Sequence, residues 1–548
     1  MPKSPLILAT WHRKPMSADS LFKPTKDAFN EEWMEYFKSS KLPEALPIKF
    51  GIIGPGGISS KFVQAVNFSN QMWKDALALP AKKDALKITA FGVRDSYNIY
   101  QLASKQKAYV ESRKGQEDRF AGDVAGHEAW ANEADAWMTA TKLIASKKVD
   151  IVYISASTTA KKDYALKCLE GGKSIIVEKP FMKANDVAEI AQKAKEKGLL
   201  FMDGTMFAHS PRLLHLRKHV PTKYLLQTEG SFTLYRPWCE DTAAGKAHAD
   251  SRVDPKLEPH GALGDLGWYN IRFALWAYNW ELPETVHCIP SVNNGVPLQA
   301  SVFMSWENKD GNAKLPRRSS NFTCSFVTGE GQRQSFLLGD YEEFDVSGIV
   351  STDQKKQYLV EVEDFIVASN PAITNPTPQS IKKTTFAWGQ GPWAILKKSE
   401  NITTEEKFGE TNCMANLPDV VLWVSNFARM HTMRVLDPEE THTRDSLADI
   451  ASQTPTKDIT TTLTVPMFSN HPKHFRNISA GMKAASYQTQ LVLDAACESF
   501  KDGHERVYNK KEKKYVCKPR VMVTGNGEIV RTKEDLAAAN QGCSCTIM

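Results

Sequence analysis

Cysteine is scarce in this sequence, with nine in 548 residues. An odd number scattered along a long chain makes no disulfide framework and fits the reduced thiols of a cytosolic protein. No apolar run reaches the length of a membrane-spanning helix. The opening stretch, MPKSPLILATWHRKPM, has too short an apolar run, with prolines on both sides, for a secretory signal. The sequons at Asn67, Asn321, Asn401 and Asn477 are then accidental. Surplus charge is scarce as well. The net charge is +6, and residues 501–520 hold eight Lys or Arg against three Asp or Glu, which leaves the rest near neutral. That distribution excludes a nucleic-acid-binding body. Internal repeats and extended low-complexity tracts are absent.

What remains is an ordinary globular composition, 42% hydrophobic and 24% charged, in a chain long enough for two or more domains. From Pro47 the pattern alternates strands and helices. IKFGII (48–53) reads as a strand, GPGGISS as a glycine turn and KFVQAVNFSNQMW as a helix. KITAFGV (87–93), VDIVYIS (149–155), SIIVEKP and LLFMDGTMF (199–207) read as further strands, with helices at 161–172 and 185–198 between them. That order implies a parallel sheet with right-handed crossovers. Segment 96–145 is longer than one crossover needs and reads as a helical insertion. After residue 207 the texture turns to antiparallel alternation, interrupted by helical stretches at 264–279 and 417–432, with 370–416 read as a long loop. A helix over 478–501 closes this second part.

Three stretches carry chemistry. Gly54, Gly56 and Gly57, with Ile58 opening the helix, lie between a strand and a helix, where small residues let backbone approach a pyrophosphate. Ser59 stands where the usual third glycine would be. At the end of the second strand, Arg94 precedes Asp95. An arginine there suits the 2′-phosphate of NADP, although a surface-loop arginine has the same appearance. SIIVEKPFM ends an apolar run on Glu178-Lys179 and then Pro180, which cannot donate to a sheet ladder. A charge pair is affordable there only where the strand end faces a cleft. In PHGALGDLGWYNIRFALW, Asp265 and Tyr269 are four apart and share one helix face. A tyrosine beside a carboxylate and a lysine can exchange the proton that accompanies a hydride, with the cation lowering its pKa. Taken alone, this stretch reads better as core aromatics, Trp268 and Tyr269, with Asp265 capping a helix.

GIIGPGGIS, EKP and GALGDLGWY, in this order and at this spacing, resemble the glucose–fructose oxidoreductase / inositol dehydrogenase / dihydrodiol dehydrogenase (Gfo/Idh/MocA) family over residues 47–502. MDGTMFAHSPR and YQTQLVLDAACES extend the likeness. The resemblance implies an α/β fold, with a Rossmann dinucleotide-binding domain (47–207) followed by an α+β domain with an open, mainly antiparallel sheet (208–502). Residues 1–46 are then an extension and 503–548 a basic tail. It also implies NADP, or NAD, as cofactor, with Ser155, Thr158, Glu178 and Lys179 among the cofactor contacts and no metal. Lys179, Asp265 and Tyr269 become the catalytic group, and His209 and Arg212 join Asp265 and Tyr269 on the substrate. The lysine is followed by a cis peptide in many relatives. The substrate class is a sugar, polyol or dihydrodiol, and association through the sheet face suggests a homodimer. The family's TPNxxH loop reads SASTTAK (155–161) here, so Lys161 replaces the histidine and Ser157 the proline.

The sequence closes on GCSCTIM. Cys545-Thr546-Ile547-Met548 fits a farnesylation box, and Cys543 a second, palmitoyl signal. With the basic run 506–520 this reads as a tether to the cytosolic face of a membrane. The competing reading of the whole chain is a non-catalytic NADP-binding regulator held at that membrane.

Overall fold

The computed structural model describes residues 46–94, 137–209, 225–235, 251–293, 295–306, 318–329, 331–339, 356–363, 380–388, 395–403, 419–436, 472–502, 504–517, 522–523 and 529–530, with single positions 213, 216 and 220. The extension 1–45, most of the 96–145 insertion, Asp95, Arg212, Cys543 and Cys545 lie outside them.

The first layer is a six-stranded parallel sheet. Its strands are β1 (Ile48–Ile53), β2 (Leu86–Val93), β3 (Trp137–Thr139), β4 (Ile151–Ile154), β5 (Ser174–Val177) and β6 (Phe201–Asp203), in the order β3-β2-β1-β4-β5-β6. β4 and β5 are buried at every residue, as continuous apolar runs must be when helices cover both faces. The crossovers are α1 (Gly57–Ala76), α2 (Ala140–Ala145), α3 (Thr158–Glu170) and α4 (Ala184–Glu196). The strand order reverses between β1 and β4, and ligands of open α/β sheets bind outside the strand ends at such a switch point.

The second layer is a ten-stranded sheet. It comprises β7 (Leu225–Thr233), β8 (Thr285–Asn293), β9 (Val296–Trp306), β10 (Arg318–Ser325), β11 (Gly331–Gly339), β12 (Lys356–Glu363), β13 (Ser380–Trp388) and β14 (Ile395–Thr403), together with β15 (Arg506–Asn509) and β16 (Lys514–Cys517). The order is β14-β13-β12-β11-β7-β10-β9-β8-β15-β16, antiparallel throughout except for the parallel β7–β10 pair. Two expectations change here. The loop expected over 370–416 contains the β13–β14 hairpin, whose lysine-rich strands, SIKKTTFAW and ILKKSENIT, carry little apolar alternation. The basic segment after residue 503 begins as the β15–β16 hairpin, anchored by Tyr515, whose hydroxyl donates to the Pro283 carbonyl at 2.7 Å.

Three helices join the layers. α5 (Trp268–Ala277) is buried at every residue, α6 is Asp419–Leu436, and α7 is Pro472–Asp502. α6 returns to the parallel-sheet layer: the Trp423 ring packs edge-on against Phe62 and Tyr153, and its indole N–H donates to the Asp203 carbonyl at 3.1 Å. α7 receives two backbone amides from the same layer, Phe181 on Gln490 Oε1 and Ala184 on Asp494 Oδ2. The core is therefore continuous between layers, which holds the ends of β4 and β5 against α5.

Candidate active site

A cavity of ≈ 690 Å³ runs from the glycine turn to the ends of β4, β5 and α5. At one end, Gly54 has φ +83°, and a Cβ there would stand 2.6 Å from the Ala156 nitrogen. Only glycine meets both demands. Gly56 precedes the first residue of α1 and is exposed, with no heavy atom inside 4.0 Å of where a Cβ would be. This open cradle at the N-terminus of a 20-residue helix fits a pyrophosphate. Ser59 is buried, and its hydroxyl donates to the Gly54 carbonyl at 3.1 Å and accepts from the Gly56 amide at 3.3 Å. The residue in place of the third glycine thus laces the turn together. Ile58, Arg94 and Ser155 line the same cavity, and Ser155 bonds the Gly54 carbonyl at 2.5 Å.

At the other end stand Glu178, Lys179, Asp265 and Tyr269. The Lys179–Pro180 bond is cis. Asp265 lies in a π-helical turn, Leu263–Gly267, that leads into α5. Gly264 lets this turn approach the strand end, because a Cβ there would meet Pro180 Cγ at 2.9 Å and His260 Cβ at 2.5 Å. Lys179 Nζ donates to both the Asp265 backbone carbonyl and its Oδ1, each at 2.6 Å. Asp265 Oδ2 takes the Arg252 guanidinium at 3.0 Å, so one carboxylate is forked between two cations. Lys179 Nζ also sits 4.7 Å from the centroid of the Tyr269 ring. Burial opposes the Lys179 charge, but Asp265, Tyr269 and Glu178 outweigh it and raise its pKa above the ordinary lysine value. Tyr269 moves opposite to the expectation. Burial raises its pKa above an ordinary phenol, and Lys179 only partly offsets that, so in the free protein the phenol holds its proton. Glu178 is buried with a raised pKa, from burial first, and accepts from the Tyr153 hydroxyl at 2.8 Å.

Not every expected residue joins this group. Thr158 is buried at the start of α3, outside the cavity lining, and its amide and hydroxyl both bond to Glu258. Gly57 begins α1. His209 is buried away from the cavity, with its Nδ1 3.3 Å from Asn426 Nδ2 on α6, and burial pushes its pKa down to about 4. Arg212 lies outside the described residues. Arg252 and Glu258 line the cavity unforeseen, and so does Lys161, named from the sequence only as the residue in place of the family's histidine. The first two sit in a loop without periodicity, and the third is one lysine among several on a polar helix.

Residues 48–205 match the model of the oxidoreductase family with the NAD-binding Rossmann fold. The scyllo-inositol 2-dehydrogenase (NADP(+)) of Bacillus subtilis is 23% identical over 248 residues, covering 43% of this chain and 74% of that one. The trans-1,2-dihydrobenzene-1,2-diol dehydrogenase of Xenopus tropicalis is 25% identical over 269 residues, 48% of this chain and 66% of that one. Among solved structures, one from Desulfitobacterium hafniense aligns with a TM-score of 0.51 at 14% identity, covering 84% of this chain and 98% of that one. A levoglucosan dehydrogenase solved with NADH and L-sorbose aligns with a TM-score of 0.50 at 12% identity, covering 87% and 100%. Both show the two-layer fold. Over residues 48–205 the chain therefore matches the oxidoreductase family with the NAD-binding Rossmann fold, the Gfo/Idh/MocA family that its motifs resemble.

Proposed function

We propose that the chain is an NADP-dependent dehydrogenase that moves a hydride between the nicotinamide and a carbinol carbon of a sugar, polyol or dihydrodiol. The observation that carries this reading is the meeting of Lys179, Asp265 and Tyr269 in one cavity with the glycine turn. Gly54 and Gly56 would hold the pyrophosphate, and Arg94, exposed at the end of β2, would meet a 2′-phosphate. The bound nicotinamide supplies hydride acceptance and donation. The protein does the rest. Tyr269 exchanges the proton of the substrate hydroxyl, and the Lys179 ammonium orients that oxygen and steadies negative charge on it. Asp265, with both oxygens committed to cations, is a positioning group and not a proton shuttle. Phe232, Leu234 and Leu266 give the cavity an apolar wall suited to the face of a ring.

A homodimer through the ten-stranded sheet accords with three large apolar side chains exposed on β8 and β9, Ile289, Val292 and Phe303. Among the described residues no helix is long and apolar enough to cross a membrane. The tether expected from Cys543 and Cys545 lies outside those residues, and the proposed chemistry does not depend on it. The test is nicotinamide turnover by the purified chain with NADP and NAD in parallel, against aldoses, inositols and trans-dihydrodiols. Turnover on one class, lost by about 10²-fold or more in Tyr269→Phe, is the expected result. Tight NADP binding with no turnover on any class would favour the regulator instead.

A further inference from the structure

Lys161 is 3% exposed, an unusual state for a lysine on the first turn of a surface helix. Its ammonium has three protons and meets three acceptors, each at 3.0 Å: the Thr158 hydroxyl, the Lys179 carbonyl and the Pro180 carbonyl. A neutral amine has only two protons and would turn a lone pair on one of these oxygens. The same Thr158 is held by Glu258, which takes its amide on Oε1 at 2.9 Å and its hydroxyl on Oε2. Beside it, the Thr159 amide and hydroxyl bond the carbonyls of Leu257 and Lys256 at 3.3 and 3.0 Å. Segment 256–258 is thus laced to the N-terminus of α3, where a carboxylate also complements the helix dipole. Seven residues further along the same chain stands Asp265, which grips the Lys179 side chain.

These contacts close a ring. Lys161 holds the backbone of Lys179, Asp265 holds its ammonium, and Glu258 with Thr158 ties the two anchors together. We propose that Lys161, Thr158 and Glu258 form a charged latch that sets Lys179 against Asp265 and Tyr269. In this scheme Lys161 and Glu258 are positioning residues. The inference rests on the dehydrogenase reading for its kinetic consequence, but the latch itself is physical and can be read without turnover. Reacting groups lose rate steeply with displacements of an ångström, so a device that fixes Lys179 from both ends acts on kcat. A lysine with a purely structural role would affect only the folded fraction.

The experiment uses the full chain as wild type, Lys161→Met, Glu258→Gln and the double variant. Hydrogen exchange is followed in peptides covering 174–182 and 256–265. Turnover is measured per folded molecule on whichever substrate the panel identifies. Glu258→Gln is nearly isosteric and keeps the test alive should Lys161→Met fail to fold. The latch predicts that Glu258→Gln speeds exchange about tenfold or more in both peptides, although the substitution lies in only one. It also predicts a tenfold or greater fall in kcat for each single variant, an unchanged cofactor KM, and a double variant no worse than Lys161→Met. Unchanged exchange at 174–182 in Glu258→Gln overturns the proposal. So does loosened exchange with kcat intact, or two losses that multiply in the double variant. Were the wild type to turn over no substrate, the dehydrogenase reading would fail, and the exchange result would still decide the latch.

Discussion

Two lysines eighteen positions apart are both buried at the same strand end, yet they sit in opposite electrostatic worlds. Lys179 points across the cavity onto the Asp265 carboxylate. Lys161 points beneath the strand end onto two backbone carbonyls and a hydroxyl. The pKa of Lys179 is raised, because Asp265, Tyr269 and Glu178 outweigh burial. That of Lys161 is lowered, because burial outweighs the more distant Glu258 and Glu178. A buried cation facing an ionised partner is a durable charge available to a substrate, whereas one facing neutral dipoles is committed to holding backbone. The proposed chemistry belongs to the first lysine and the architecture to the second.

The contrast can be broken most severely at Lys179. Lys179→Met removes the charge that the proposed mechanism sets beside the reacting oxygen and should lower kcat about 10³-fold, roughly 4 kcal/mol of barrier, in steady-state assays. Stability should change little, because Asp265 keeps Arg252. Asp494 sharpens the rule with the opposite sign of charge. Its carboxyl on α7 meets only neutral donors, the Ala184 amide and the Gln490 side chain, and burial pushes its pKa up to about 7. The folded state therefore binds more protons than the unfolded state between pH 3.8 and about 7. This group's stabilisation is full below that window and is lost as pH rises through 7. Wild type should gain on Asp494→Asn by a few kcal/mol as pH falls from 7 to 4, read from denaturant midpoints at each pH. His260 is pushed down to about 4 by burial, and its effect runs the other way in both proteins, so the comparison cancels it.

Lys161→Met takes the ammonium donor from the buried Lys179 carbonyl and leaves the Pro180 carbonyl only the Thr158 hydroxyl at 3.4 Å, and should cost about 2 kcal/mol of stability, seen as a lowered denaturation midpoint. A variant as stable as wild type would erase the distinction between the two lysines. The smallest effect belongs to the cofactor end. Arg94→Ala should shift preference from NADP toward NAD by about tenfold in kcat/KM, with little change in kcat.

The sequence made Lys179 legible, but left the inward turn of Lys161 opaque, for physical reasons. An apolar run that stops on a charge and a proline has few places to go except a strand end at a cleft. The glycine turn was legible for the same reason, since strand, turn and helix fixed its place. KKDYALKCLE offers several lysines at helical spacing, and nothing local marks the one that turns inward. Glu258 lies in a loop without periodicity, and its partner is 100 residues away. α6 was readable as a helix, but its return to the parallel-sheet layer depends on Phe62 and Tyr153, far upstream. RVYN and KYVC, parted by KKEK, read as a charged tail until Tyr515 finds Pro283 on the neighbouring loop.

The most direct measurement is the crystal structure of the chain grown with NADPH. The arrangement predicts the pyrophosphate on the Gly54–Gly56 turn and the nicotinamide ring beside Glu178 and Lys179, with its reactive carbon open toward Tyr269. A nicotinamide placed away from Lys179 and Tyr269, or a dinucleotide bound outside this cavity, would contradict it.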